Sequence, residues 1–393
     1  MSDSTVVIVN GARTPIGSFQ GSLSSLSAPE LGAHVIAETL KRADFSADAV
    51  EEVIMGCVLS AGLKQGPARQ AALKAGLPNS VGCTTINKLC GSGMKATMFA
   101  YDQIRAGSRQ VVIAGGMESM TNAPYILPKV RAGLRMGHGA VLDHMFCDGL
   151  EDAETARLMG SFAQDTADQK GLTRQQMDNF AIESLMRAQQ ATSNGAFAAE
   201  IAPIHIQTAK GNSEISIDEQ PTKANFEKIP QLKPAFSKDG SITAANSSSI
   251  SDGAAALLLM PELLAKSKGL QPLARILGHS TQSQHPAEFT TAPIGAIQTL
   301  LDKVQWSLDQ VDLWEINEAF AMVTLMPMLE FGLDHNKVNI HGGACALGHP
   351  IGATGARIIL TLIHALKHRQ KQRGIAALCI GGGEATAVAI ELI

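Results

Sequence analysis

The stretch that decides the fold runs from His341 to Arg357, HGGACALGHPIGATGAR. Gly342, Gly343, Gly348, Gly352 and Gly355, with Pro350, describe a backbone that turns tightly and lets another group approach closely. His349 is held between Gly348 and Pro350. Beyond Gly355, Ile358, Ile359, Leu362, Ile363 and Leu366 have the spacing of an amphipathic helix. The pattern is a rigid loop presenting an imidazole beside a helix N-terminus, a place that favours anions. A dinucleotide or phosphate loop would need GxGxxG after a strand with an acid further on, or GxxxxGK[ST]; neither is present.

Around this stretch the chain reads as a repeat. CGSGMK (Cys90 to Lys95) opens a helix, leads to a strand at Val111 to Ala114, and ends in Gly115, Gly116, Met117, Glu118. GATGAR (Gly352 to Arg357) opens a helix, leads to a strand at Ile375 to Ile380, and ends in Gly381, Gly382, Gly383, Glu384. Upstream, Phe45, Ser46, Asp48 and Val50 before one strand match Trp306, Ser307, Asp309 and Val311 before another. Two copies of one β/α unit are expected. After Glu384 the chain passes directly into a final strand, whereas after Glu118 the equivalent strand arrives only at Ala254. The division predicted is a first half over 1–121, completed by a strand within 250–270, an inserted loop domain over 122–249, and a second half over 271–393. The insert carries an amphipathic helix near Met177 to Ala191 and a scatter of lysines, Lys210, Lys223, Lys228, Lys233 and Lys238, suited to a phosphate-bearing ligand.

Composition agrees with a layered α/β protein. Of 393 residues, 45% are hydrophobic but only 4% aromatic, and 37 are glycine, which describes a core of small and aliphatic side chains. A net charge of −4 argues against a nucleic-acid binder. No apolar run approaches the roughly 20 residues that span a bilayer, and MSDSTVVIVNGARTPIG enters a strand without a basic leader, so a cytoplasmic protein is expected. Cys57, Cys83, Cys90, Cys147, Cys345 and Cys379 contain no CxxC pair, so neither a metal site nor a disulfide framework is expected.

A single cysteine is more often a small buried hydrophobe than a nucleophile. Cys90, however, opens a helix, a position expected to lower a thiol pKa. Cys379 ends a strand just before a glycine run, and both are expected at equivalent strand ends where α/β sheets place their sites.

With NKLCGSGMKA around Cys90, GGMESM at 115–120, NEAFA at 317–321, GGACALGHPIGATGAR and CIGGGEA from Cys379, the sequence resembles the thiolase family, its acetyl-CoA acetyltransferases in particular, over nearly its whole length. The resemblance implies the thiolase fold: α/β, two duplicated halves in five layers αβαβα with an inserted loop domain. It implies homo-oligomers, dimers or tetramers, and the segment Tyr125 to His144, with Arg131, Arg135 and His138, suits a subunit contact. It implies that Cys90 is the acylated nucleophile, activated by His349, and that Cys379 moves the α-proton of a second acyl-CoA. Two oxyanions would be met, one by His349 and a water held by Asn317, the other by the backbone N–H groups of Cys90 and Gly381. For coenzyme A the resemblance implies Ser248 at the pantetheine amide, a tunnel lined by Met159, Leu232, Phe236, Ala319 and Phe320, and Lys223 in the adenine and phosphate region. The ligands implied are acetyl-CoA, acetoacetyl-CoA and CoA, as substrates, with no cofactor.

Leu158, Lys223, Lys228 and Ser249 depart from the family pattern, and Phe289 stands where many members have Met, against the acyl group. Within the same fold a ketoacyl synthase, which decarboxylates its donor, has no use for Cys379. A non-catalytic lipid carrier would not need Cys90, Asn317, His349 and Cys379 together.

Overall fold

The computed structural model describes residues 5–208 and 211–393. The first four residues of the N-terminal segment, and Lys210 of the lysine group, lie outside the described residues.

The first half supplies β1 (Val6–Arg13), α1 (Ala28–Arg42), β2 (Glu52–Gly56), α2 (Pro67–Lys74), β3 (Gly82–Ile86), α3 (Ser92–Ala106) and β4 (Val112–Ser119). The insert contributes α4 (Met159–Gln169) and α5 (Arg174–Ser193) before the chain returns as β5 (Ser251–Pro261). The second half is β6 (Ala274–Ser283), α6 (Ala292–Val304), β7 (Leu313–Ile316), α7 (Ala321–Phe331), α8 (Thr354–Arg369), β8 (Arg373–Ile380) and β9 (Glu384–Leu392).

Strand order makes the duplication visible. In one half β2 lies parallel to β4, which is antiparallel to β5, which is antiparallel to β1. In the other, β7 lies parallel to β8, which is antiparallel to β9, which is antiparallel to β6. The equivalent strands β1 and β6 meet antiparallel, Val6 opposite Ile276, and join the two sheets edge to edge. The first half adds β3 beside β2; its counterpart has shrunk to a single bridge between Trp314 and Val338.

Alternation along the strands builds the layers. Leu258 and Met260 of β5 face α1 and α2 with Leu31, Val35 and Ile36, while Leu257 and Leu259 face α3 and α8. In β8, Ala376 and Leu378 face the same central helices, while Ile375 and Ala377 face α6 with Ile297 and Leu300. The result is helix, sheet, two central helices, sheet, helix.

The expectation of an amphipathic helix after Gly355 needs correction. α8 is buried along nearly all of its length, Thr354 to Leu366, because it lies in the central layer with a sheet on either side. The glycines after Ala114 also do not end their strand. β4 continues through Gly115 and Gly116 to Ser119 because β5 pairs with it as far as Asp252.

α3 and α8 cross at their first turns through equivalent glycines. A Cβ on Gly93 would sit 2.9 Å from the Ala356 nitrogen, and one on Gly355 would sit 2.2 Å from the Met94 nitrogen. The insert is tied to β1 by a buried ion cluster: Arg13 donates to Glu200 at 2.6 Å and to both oxygens of Asp218 at 2.7 and 2.9 Å.

Gly355→Ala forces two helix backbones apart rather than one side chain aside. It should cost at least the roughly 1–3 kcal/mol usual for overpacking, read as a lowered urea midpoint. An unchanged midpoint would mean that the central layer yields freely.

Candidate active site

Cys90 lies just ahead of α3, after Leu89, whose φ of 47° turns the chain into the helix. Its sulfur is not the low-pKa thiolate expected from its position. Burial pushes the thiol up to about 11, against the backbone N–H groups of Gly381 and of Cys90 itself, which favour the thiolate, and with the charge of Glu118 adding to the rise. Cys379 is fully buried and its thiol is pushed well above 9.0, first by burial and then by the nearby Cys90. The two cysteines do not occupy equivalent positions. Cys90 precedes a helix, matching Gly352 in the other copy, whereas Cys379 lies within β8 opposite Ala385.

His349 is fixed from three sides. Its backbone N–H faces the Ser249 carbonyl at 3.2 Å and the Ser251 hydroxyl at 3.3 Å, and its Nδ1 lies 2.7 Å from Thr354 Oγ1. Thr354 donates its only hydroxyl proton to the Pro350 carbonyl at 2.9 Å. Oγ1 therefore accepts from Nδ1–H, which leaves Nε2 as a bare lone pair. That nitrogen is buried without a protein partner among the described residues. Burial, and then the charge of Arg357, hold the imidazole neutral by lowering its pKa to about 3.

Asn317 follows β7 and is 1% exposed, and neither its Oδ1 nor its Nδ2 has a protein partner among the described residues. Orphaned polar atoms in a core cost about 1–3 kcal/mol each, so their survival, like that of the unpartnered His349 Nε2, marks a place for polar atoms of something else. Gly381 contributes backbone alone. A Cβ there would stand 3.3 Å from Leu89 and 3.4 Å from the Met159 sulfur.

The residues assigned to the tunnel divide into two groups. Phe289, Ala319 and Phe320 share one buried cluster with Cys379, and Met159 and Phe236 pack at its edge. The Phe320 ring meets Phe236 at 6.1 Å and Phe289 at 6.3 Å, both edge-on. Ser248 is brought alongside by its N–H, which donates to the Ala319 carbonyl at 2.9 Å. Leu232 and Lys223 lie outside that cluster. Leu232 is half-buried, its carbonyl accepting from Arg174 at 3.0 Å. Lys223 is not a free point charge: it pairs with Glu219, one turn back on the same short helix. Among the described residues no group of three or more His, Cys, Asp or Glu could hold a metal ion.

Sequence reading missed the residues that hold this loop. Thr354 sets the His349 tautomer, while Glu118 and Glu318 reach its backbone through buried carboxylates. The signal available was a glutamate inside GGMESM and NEAFA, where a neighbouring glycine run leaves backbone N–H groups to be satisfied.

Two thiols, a lone-pair imidazole and an unpaired amide are groups suited to thioester chemistry, and the comparisons give the family. The signature "Thiolase, N-terminal domain" matches residues 6–263 and "Thiolase, C-terminal domain" matches 270–392. The chain belongs to the thiolase family. Proteins named acetyl-CoA acetyltransferase are similar over almost the full length of both chains. The one from Pseudomonas aeruginosa is 49% identical over 98% of each chain, and the one from Escherichia coli 48% identical over 98% of each. Among solved structures, the Bacillus anthracis acetyl-CoA acetyltransferase superposes with a TM-score of 0.97 at 44% identity, covering 99% of both chains. A thiolase from Ascaris suum in complex with coenzyme A superposes with a TM-score of 0.93 at 42% identity, covering 99% of this chain and 100% of its own.

A neutral resting thiol has a direct signature. Alkylation of Cys90 by iodoacetamide, followed by peptide mass spectrometry, should accelerate about tenfold per pH unit up to the limit of protein stability, since the thiolate fraction rises that way below its pKa. A plateau reached by pH 7 would show a thiolate already formed.

Proposed function

We propose that this protein is an acetyl-CoA C-acetyltransferase, which condenses two acetyl-CoA to acetoacetyl-CoA and CoA, or runs the reverse thiolysis, through an acyl group on Cys90. The observation that carries the reading is that a neutral Cys90 thiol and a neutral His349, its Nε2 lone pair unengaged among the described residues, lie on the two segments that the crossing of α3 and α8 brings together. In such a pair the proton moves only as the sulfur attacks, so His349 takes the Cys90 proton and delivers it to the leaving CoA sulfur. The N–H groups of Cys90 and Gly381, which face the sulfur in the resting site, are in place for the oxyanion formed on it. Cys379 then passes its own proton to His349, which is neutral again, and as thiolate removes a proton from the methyl carbon of the second acetyl-CoA. The enolate oxygen meets the protonated His349 and a water held by Asn317, the carbanion attacks the acyl carbon, and Cys90 leaves as thiolate and takes the proton from His349.

Met159, Phe236, Ala319 and Phe320 line the pantetheine tunnel in this reading, with Ser248 bonding its amide and Leu232 and Lys223 toward the nucleotide. In this reading Phe289, 2% exposed and edge-on to Phe320, is the stiff wall of the acyl end. This favours short 3-ketoacyl-CoA over the broad chain range of β-oxidation, with 2-methylacetoacetyl-CoA as a second substrate. The working form is a homo-oligomer, dimer or tetramer, in contact through the exposed segment between Tyr125 and Leu142. The site is cytoplasmic in this reading. Among the described residues no helix is long and apolar enough to cross a membrane.

Incubation with acetyl-CoA should add one acetyl mass to the peptide bearing Cys90, and label found only on another cysteine would overturn the mechanism. Cys379→Ser should still be acetylated yet lose most condensation; equal loss of both steps would make Cys379 a shaper of the Cys90 site instead. A kcat/KM series over acetoacetyl-, 2-methylacetoacetyl- and 3-ketohexadecanoyl-CoA should fall steeply at the long chain. Phe289→Met should shift the methylated to unmethylated ratio by an amount within about 1–3 kcal/mol. A best rate on the long chain would sink the short-chain assignment.

A further inference from the structure

Two buried carboxylates reach the loop that carries His349, one near each end. Glu118, at the end of β4, accepts from the Gly352 N–H at 2.8 Å and the Val58 N–H at 3.0 Å through Oε2, and from the Leu59 N–H at 3.0 Å through Oε1. Glu318, just beyond β7, accepts from the Cys345 N–H at 3.0 Å and the Ser184 hydroxyl at 2.7 Å through Oε2, and from Asn339 Nδ2 at 2.8 Å through Oε1. Ser184 extends this hold, since its oxygen accepts the Gly343 N–H at 3.0 Å. Both glutamates are 0% exposed.

We propose that Glu118 and Glu318 are positioning residues for the acetyl-transfer reaction, clamping the His349 loop from opposite ends so that its imidazole stays in register with Cys90. The inference rests on the acetyltransferase reading.

Among the described residues neither carboxylate forms an ion pair, so each carries the cost of burial with neutral donors as its direct partners, eased at Glu318 by the charge of Arg357. That cost shows in Glu118, whose pKa burial raises to about 7, and in Glu318, raised for the same reason. Apolar packing of similar volume is often as stable as a buried ionised group, so stability alone gives little reason for two of them here. What an apolar residue cannot supply is acceptance from several donors at once, three backbone N–H groups at Glu118, and at Glu318 one backbone N–H with the Ser184 hydroxyl and the Asn339 amide. A glutamine supplies only part of this: its one carbonyl oxygen can accept two of the bonds, but its NH2 turns a donor toward the third. The glycines fit the same reading. A Cβ on Gly352 would lie 2.6 Å from Glu118 Oε2, and one on Gly343 would lie 2.3 Å from Glu318 Cδ. The carboxylates therefore close directly onto the loop backbone. Between Cys345 and Gly352 the chain makes one left-handed turn, at Gly348 with φ +107°, and then presents His349. Pinning both sides of that turn fixes where the imidazole points.

The test is a rate measured in single turnover, the appearance of acetyl-Cys90 by mass spectrometry, together with steady-state kcat and KM, for Glu118→Gln, Glu318→Gln and each combined with His349→Ala. A displaced catalytic group costs on the order of a hundredfold per ångström, so each single variant should lose about tenfold to a hundredfold in acetylation rate and kcat while KM stays within about twofold. In the His349→Ala background the same substitutions should cost nothing further, because the loop then has no imidazole to position. Losses that multiply in that background, or that fall on KM, would overturn the proposal. If a glutamine variant does not fold, Ser184→Ala removes only the hydroxyl between Glu318 and Gly343, and should show a smaller loss with the same absence of effect on His349→Ala. A wild-type protein that forms no acetyl-Cys90 would instead remove the acetyltransferase reading itself.

Discussion

Between the two sheets, α3 and α8 touch backbone to backbone, and the positions of the reacting groups follow from that contact. Gly93 lies against the first turn of α8, and Gly355 against the first turn of α3, at distances no side chain could occupy. Because the contact is made at the N-terminal turns, the segments leading into the helices are brought together too. One ends in Cys90; the other carries His349 and Gly352. The glycine-rich motifs therefore serve first as a joint between helices and only through that as a site.

The helix N-terminus that follows Cys90 ought to stabilise negative charge there, and this is the reason to expect a lowered thiol pKa. The magnitudes decide otherwise. A helix end contributes roughly 0.3–1 kcal/mol, up to about 2 when partly buried. The rise of Cys90 from 9.0 to about 11 corresponds to about 3 kcal/mol against the thiolate. Desolvation wins in the resting state, and the lowered pKa of His349 has the same cause. Burial that keeps both groups neutral makes the N–H dipoles worth more when charge develops on a substrate oxygen, because they are already oriented in a low-dielectric surrounding. The raised pKa and a site built for oxyanions are two consequences of one enclosure.

What could be read from the sequence was whatever leaves a periodic or repeated trace. The matching of CGSGMK with GATGAR foretold the duplicated strands, and the late arrival of β5 foretold the insert. The burial of α8 on every side could not be read, because Ile358, Ile359, Leu362, Ile363 and Leu366 have the same spacing whether the opposite face meets water or a second sheet. Its polar positions, Arg357 and Thr361, meet buried Glu315 and Glu200. The tautomer of His349 was hidden for a different reason: it depends on where one hydroxyl proton of Thr354 goes, a matter of geometry. Lys223 looked available because a sequence shows charge but not pairing, and Glu219 one turn away on the same helix takes it up.

The strand-end glutamates of the two copies show how a duplicated unit became one site. In the aligned motifs Glu118 corresponds to Glu384, and Gly352 to Cys90. Glu118 reaches out of its own half to hold Gly352, in the loop ahead of the other half's central helix. Glu384 does the converse: at 2.6 Å it pairs with Lys88, two residues before Cys90 in the loop ahead of α3. Each copy thus braces the loop that opens its partner's helix, a crossed arrangement that a unit standing alone could not make. The braces have diverged in chemistry. Lys88 and Glu384 keep partial contact with water, and the pair lowers the Glu384 pKa, whereas Glu118 is sealed in and held by neutral donors, three backbone N–H groups and the Cys57 thiol. A flexible cation suffices beside Cys90, whose position is already set by the first turn of α3. The imidazole rides on a longer loop with a left-handed turn at Gly348, and there the backbone itself has to be gripped.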